Sequence, residues 1–184
     1  MDKMTDIAKD YLADFEVLTE ARKEFENQLG GWWPELTNKR VRLALTNILK
    51  DVTGGEPNGW ENQSNPGVSH FRVVANQEVL VQIADPRISG RGCYTVSLFA
   101  DKQPTLKKLN NRATFVDSLN KLTSELSGAG NLVAKTSAAE LIAVDIPINP
   151  DDFEETAKRV SDTAVRMFKL VIENYRLKNA DEKA

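Results

Sequence analysis

Apolar residues near the start of the chain recur at spacings of three, four and seven: Ile7, Tyr11, Phe15, Leu18, Phe25 and Leu29. Asp, Glu, Lys and Arg fill the other faces, and that period predicts a long amphipathic helix from Thr5 to about Leu29. Thr5 or Asp6 can cap its start. Gly30-Gly31 is expected to end it, because glycine enters the left-handed region without a Cβ clash. Met4, Ile7, Tyr11, Leu18, Ala21 and Phe25 also fit a short heptad seam, which suits helix pairing within or between chains. Trp32-Trp33-Pro34 follows the glycines. Two adjacent indoles can form a binding platform, but the stronger expectation is that they plug the core, since each buries a large apolar area.

A second helix is predicted from Thr37 or Asn38 to Val52, with Val41, Leu45, Ile48, Leu49 and Val52 on one face. Residues 53–67, TGGEPNGWENQSNPG, read as the longest loop, of the kind that is often functional. Three strand-like runs come next, Val68–Ala75, Glu78–Ala84 and Cys93–Ala100, with alternation in the last two. Short connections imply antiparallel neighbours, joined near Asn76-Gln77 and through Asp85–Gly92. Pro104 can open a further helix, which is clear from Thr114 through Phe115, Leu119, Leu122 and Leu126. Ser127-Gly128-Ala129-Gly130 stops it. Leu132–Lys135 and Leu141–Ile146 form a second strand pair. Asn149, as cap, then opens a last helix whose buried face runs from Phe153 through Val160, Met167 and Val171 to about Lys178.

The order α-α-β-β-β-α-β-β-α predicts an α+β fold: a mostly antiparallel sheet of about five strands, helices packed on one face, and long N- and C-terminal helices. A chain of 184 residues suits one such domain over residues 1–178, with residues 1–30 able to form a helical extension and 179–184 a disordered tail.

Composition narrows the function classes. The chain is 41% hydrophobic and 28% charged, as expected of a globular protein. No apolar run nears the roughly 20 residues that span a bilayer, so no membrane association is expected. The charged N-terminus is unlike a signal peptide, and one cysteine suits a reducing compartment, so the sequence reads as cytoplasmic. The net charge of −3 hides a segregation. Residues 1–35 hold 9 acidic against 4 basic side chains, whereas residues 36–112 hold 11 basic against 6 acidic. A basic centre between acidic ends can meet an anionic partner or pair with the chain's own acidic helices, and the second is the simpler reading.

Catalytic chemistry finds little to use. His70 is the only histidine and Cys93 the only cysteine, and neither has a close-spaced ligand or nucleophile partner. GAGNLVAKT lacks the glycines of a phosphate loop, and Asp85 and Asp101 belong to opposite ends of a hairpin, too far apart to share a metal. Asp151, Asp152, Glu154 and Glu155 form the densest acidic cluster, and capping of the last helix explains it. In IADPRISGRGC, Pro86, Gly90 and Gly92 each have a turn explanation, which leaves Arg87 and Arg91 as charges at a hairpin tip.

No catalytic, cofactor-binding or metal-binding residue is therefore assigned. The sequence points to a non-enzymatic interaction or regulatory protein, associating through its terminal helices with a protein partner or with itself. The alternative is a nucleic-acid- or phosphate-associated domain, with an enzyme of unidentified class behind it. The candidate contacts are Lys39, Arg40, Arg42, Trp60, Arg87, Arg91, Lys107, Lys108 and Arg112.

Overall fold

The computed structural model describes residues 6–53, 60–65, 67–73, 76–89, 92–100, 109, 111–127, 131–132 and 139–181. Helix α1 (Asp6–Pro34) runs into a π-helical segment (Glu35–Val41) and then α2 (Arg42–Thr53). Strands β1 (Trp60–Asn65), β2 (Val68–Val73) and β3 (Asn76–Ala84) follow. A one-turn helix α3 (Pro86–Ser89) links β3 to β4 (Cys93–Ala100). After α4 (Ala113–Ser127) come β5 (Asn131–Leu132), β6 (Glu140–Pro147) and α5 (Phe153–Asp181).

The fold is α+β, and the strands form one antiparallel sheet in the order β1-β2-β3-β4-β6-β5. Its register aligns Phe71, Val81, Leu98 and Ile142 across four strands, and beside them Ser69, Ile83, Val96 and Val144. Opposed residues of an antiparallel ladder share a face, so these two rows form one buried surface. Helix α5 lies against β2, β3, β4 and β6, and α2 and α4 pack on α5. Ala157, Val160, Ala164, Met167, Phe168 and Val171 supply its buried face, at the spacings expected of a core helix.

Among the described residues the sheet has six strands where about five were expected, because Trp60–Asn65 is the edge strand β1 within the stretch taken for a long loop. Apolar alternation is absent from WENQSN, so no local strand signal exists there, and its strand state is seen in its pairing with β2. Asn65 pairs with Val68, and Gly67 has φ 83, so SNPGV carried a legible turn signal.

Gly30-Gly31 does not stop α1, which continues to Pro34. Leu29 and Trp33 lie four residues apart on one helical face and are both buried. Burying such side chains is worth about 1.5–3 kcal/mol each, against about 1 kcal/mol lost per helical glycine, so packing overrides the local signal. Pro34 has no N–H to donate one turn back, and the chain widens into π-type bonding, with Arg42 N–H donating to the Thr37 carbonyl. Thr37 Oγ1 donates to the Trp33 carbonyl at 2.8 Å.

Helix α5 starts one turn later than expected. Asp152, and not Asn149, is its cap, accepting the Glu155 N–H at 3.0 Å. Asn149 makes the turn before it, its Oδ1 accepting from Asp151 N and its Nδ2 donating to Glu155. The helix extends to Asp181, past the expected end at Lys178. The helix start at Pro104, the stop at 128–130 and the strand end at 133–135 lie outside the described residues.

Candidate functional site

The most distinctive surface is the stretch of α1 from Asp14 to Gln28. Every described side chain from Asp14 to Gln28 is exposed, whereas the base of α1 packs on the π segment that continues it and on the body of the fold. The apolar stripe nevertheless persists: Phe15 is 48%, Leu18 55% and Phe25 40% exposed, whereas Leu29, one turn further on, is 1% exposed. From Asp14 to Gln28 the helix is thus an arm whose stripe is continuous with the core at its base and exposed to solvent. Single exposed apolar residues need no explanation, but a row at helical spacing does.

The base is held from several sides. Trp32 stacks on Phe153 at the start of α5, with ring centroids 4.4 Å apart. Trp33 lies parallel to Tyr94 of β4 at 6.4 Å. Arg40 Nη2 donates to Glu154 Oε1 at 2.6 Å, tying the π segment to the first turn of α5. On the arm itself, Arg22 Nε donates to Glu26 Oε1 at 2.9 Å, and Glu26 raises the guanidinium pKa through that bond and its charge.

Residues 85–89, the described part of the connection between β3 and β4, lie on another flank of the base, where a Cβ on Gly30 would come within 4.0 Å of Arg87 Nη1. Asp85 is fully buried and caps α3, with Pro86 at the first helical position. Its Oδ1 accepts Arg87 N–H at 2.9 Å, and its Oδ2 accepts Arg87 Nε at 2.8 Å and Nη2. Asp85 N–H in turn donates to the Gly67 carbonyl at 2.8 Å. Arg87 is therefore folded onto a buried carboxylate, where the sequence suggested a free charge. The hydrogen bonds to Asp85 are the first cause of its raised pKa. The Asp-Pro pair before a short helix was the signal for this cap.

The other candidate contacts are dispersed. Lys39 pairs with Glu35 at 2.5 Å, and Arg40 with Glu154. Arg112 Nη1 donates to Asn174 Oδ1 at 2.8 Å. Arg42 is exposed at the start of α2, and Trp60 opens β1 opposite Val73. Arg91, Lys107 and Lys108 lie outside the described residues. Lys39, Arg40 and Arg42 share one short stretch; Arg87 and Arg112 sit on other parts of the fold.

His70 Nε2 lies 2.8 Å from Gln82 Oε1, its opposite number across β2 and β3. Cys93 is buried. No three His, Cys, Asp or Glu side chains converge as metal ligands among the described residues. A groove of about 570 Å³ between α4 and α5 is lined by Lys121, Arg166 and Lys169 together with Glu125 and Glu173. Its charges of both signs interleave at the rim, and Glu173 accepts from Ser118 Oγ.

Compared with known proteins, the chain matches no protein-family model, no curated protein and no solved structure.

Proposed function

We propose that this chain is a non-enzymatic interaction or regulatory protein that associates with another polypeptide through helix α1, the sheet and its helices serving to anchor that arm. One observation carries the reading: Phe15, Leu18 and Phe25 stay exposed on a stripe whose continuation, Leu29, is buried. An exposed apolar helix face of this length is the feature used in helix-mediated recognition. The other terminal helix, α5, supports the reading only indirectly, because its apolar face already packs on the chain's own sheet. No described helix is long and apolar enough to cross a membrane. We place the protein in the cytoplasm, on the strength of its single, buried cysteine.

The test is capture from an extract of the source cells on immobilised wild-type chain and on a Phe15→Ser/Leu18→Ser/Phe25→Ser variant. A stoichiometric partner held by the wild type and lost by the variant is expected. Equal capture by both sinks the reading.

The nucleic-acid alternative ranks second. It draws on the basic centre, but Arg40, Arg87 and Arg112 already hold carboxylate or amide partners of this chain. Tight binding of a labelled oligonucleotide at low salt, lost steeply as salt rises, would reverse that ranking.

A further inference from the structure

We infer that the π segment (Glu35–Val41) is a phase-setting device: it takes up one surplus residue in a single helical rod that runs from α1 into α2. It thereby keeps the arm's stripe and the face that α2 buries on one side of that rod. This goes beyond the reading of the arm as an association surface and holds whatever covers the arm.

Leu29, Trp33, Thr37, Val41, Leu45 and Leu49 are all buried and follow one another at a strict spacing of four. A step of four overshoots one α-helical turn by about 40°, so the five steps would wind the stripe by about 200°. One flank could not bury all six. Yet the five apolar members belong to one core, and the π segment and α2 both pack on α5. A π turn holds more than four residues, so a step of four falls short of a turn there and brings the stripe back. Trp33 and Val41 give the amount. Eight residues apart, they would stand about 80° from each other on an α-helix, whereas seven residues would leave about 20°. The chain therefore carries one residue more than an α-helix needs between these two points.

Pro34 does not account for the segment alone. Its missing N–H affects the turn before it, whereas the π bonding lies after it and runs on to Val41. The surplus is carried on the outer side, where Asn38, Lys39 and Arg40 are three consecutive exposed residues between buried Thr37 and buried Val41. Thr37, the one polar residue of the stripe, is satisfied within the helix by its bond to the Trp33 carbonyl. The closing bond runs from the Arg42 N–H to the Thr37 carbonyl, five residues back. With one residue removed between them, the same two groups stand four apart, which is the α-helical spacing. The segment can then become α-helical without a change of partner and without turning α1 against α2. Phe15, Leu18 and Phe25 lie on the α1 face that ends in Leu29 and Trp33, so the direction of their stripe is set through this joint.

The test is deletion of Lys39 from the full chain, compared with Lys39→Ala, which removes the Lys39–Glu35 pair but keeps the length. The deletion is expected to unfold no more than about 5 °C below Lys39→Ala, or above it. The trans-hydrogen-bond NMR coupling from the Arg42 amide to the Thr37 carbonyl should persist. Deletion of Lys169, an exposed residue inside α5, is the control. It turns the rest of that helix by about 100° and is expected to lower the midpoint far more or to prevent folding. A Lys39 deletion that falls further than about 5 °C overturns the inference. Loss of the Arg42–Thr37 coupling does so even at an unchanged midpoint, and so does a Lys169 deletion that is equally well tolerated. In full-length Pro34→Ala the π bonding is expected to remain, and its conversion to α-helical bonding overturns the inference as well.

Discussion

The Trp33 and Tyr94 rings lie within 10° of parallel, and both carry a buried polar atom, Nε1 and Oη, with no hydrogen-bond partner among the described residues. An orphaned buried donor costs about 1–3 kcal/mol, so this contact favours the apolar part of each ring at the expense of its polar tip. Burial and the negative charge of Asp85 both hold the Tyr94 hydroxyl well above its ordinary pKa, with Arg87 opposing them.

Tyr94→Phe is therefore expected to leave stability at pH 7 unchanged or raised by about 1 kcal/mol, unlike removal of a bonded hydroxyl. The pH dependence has a definite sign. A group whose folded pKa exceeds its unfolded value, about 10 for tyrosine, contributes stability that is complete below that value and lost as pH rises beyond it. Wild type should weaken between neutral pH and about pH 10.5, and Tyr94→Phe should lose the part of that decline that Tyr94 causes. Urea titrations at the two pH values measure both effects. Equal alkaline loss in the two proteins would show that Tyr94 does not control it.

Gly67 and Asp85 form a second tight junction. A Cβ on Gly67 would lie 2.7 Å from Ile88 Cγ1 and 3.1 Å from Asp85 Oδ1, and the residue has φ 83. Gly67→Ala meets both a steric and a conformational barrier and is expected to cost roughly 2–4 kcal/mol. Arg87→Met leaves the buried Asp85 carboxylate without its part-exposed guanidinium and is expected to cost about 1–3 kcal/mol. Thermal and urea unfolding of the two variants check both values. A loss under about 1 kcal/mol for Arg87→Met would mean that the backbone N–H groups alone satisfy Asp85.

The bond between Arg40 and Glu154 is of another kind. Both side chains are substantially exposed, and solvent screens such pairs. A double-mutant cycle with Arg40→Met and Glu154→Gln is expected to give a coupling of about 0.5–1 kcal/mol, falling further in high salt. Its weight is in position more than in energy, since it joins the π segment to the start of α5 beside the Trp32–Phe153 stack. A coupling well above about 2 kcal/mol would mean that the pair is effectively buried.

These junctions show what the sequence could and could not say. The helices α2, α4 and α5 and the strands β3, β4 and β6 are each written in local apolar patterns, and they appear close to where those patterns predict, with α2 preceded by a π segment and α5 starting one turn late. Arg40 and Glu154 are 114 residues apart, so no local pattern could say that part of the basic centre would meet the acidic start of the last helix. Strand β1 has no apolar alternation of its own and exists through its neighbour. The arm is the most instructive case. Its stripe was plain in the residues, but Phe15 and Leu29 look alike in a periodic pattern, and only packing separates the exposed one from the buried one.

The two glycines that failed to stop α1 supply the last expectation. Neither Gly30 nor Gly31 has positive φ, and a Cβ on Gly31 would meet nothing within 4 Å. On Gly30 the nearest atom would be Arg87 Nη1 at 4.0 Å, ordinary van der Waals contact. Alanine at such helical positions removes freedom from the unfolded chain without strain in the folded one. Gly31→Ala is therefore expected to stabilise by about 0.5–1 kcal/mol, and the double Gly30→Ala/Gly31→Ala variant by somewhat less than twice that. The glycines lie between Leu29 and Trp33, where the exposed arm meets the buried base, so the gain should also stiffen the joint. Amide hydrogen exchange reads this directly. Protection in residues 29–34 should rise in the double variant, while protection in residues 14–28 should change little. A loss of stability in Gly31→Ala would mean that the helix at the joint is not the ground state of the free chain, and that these glycines serve a bend there.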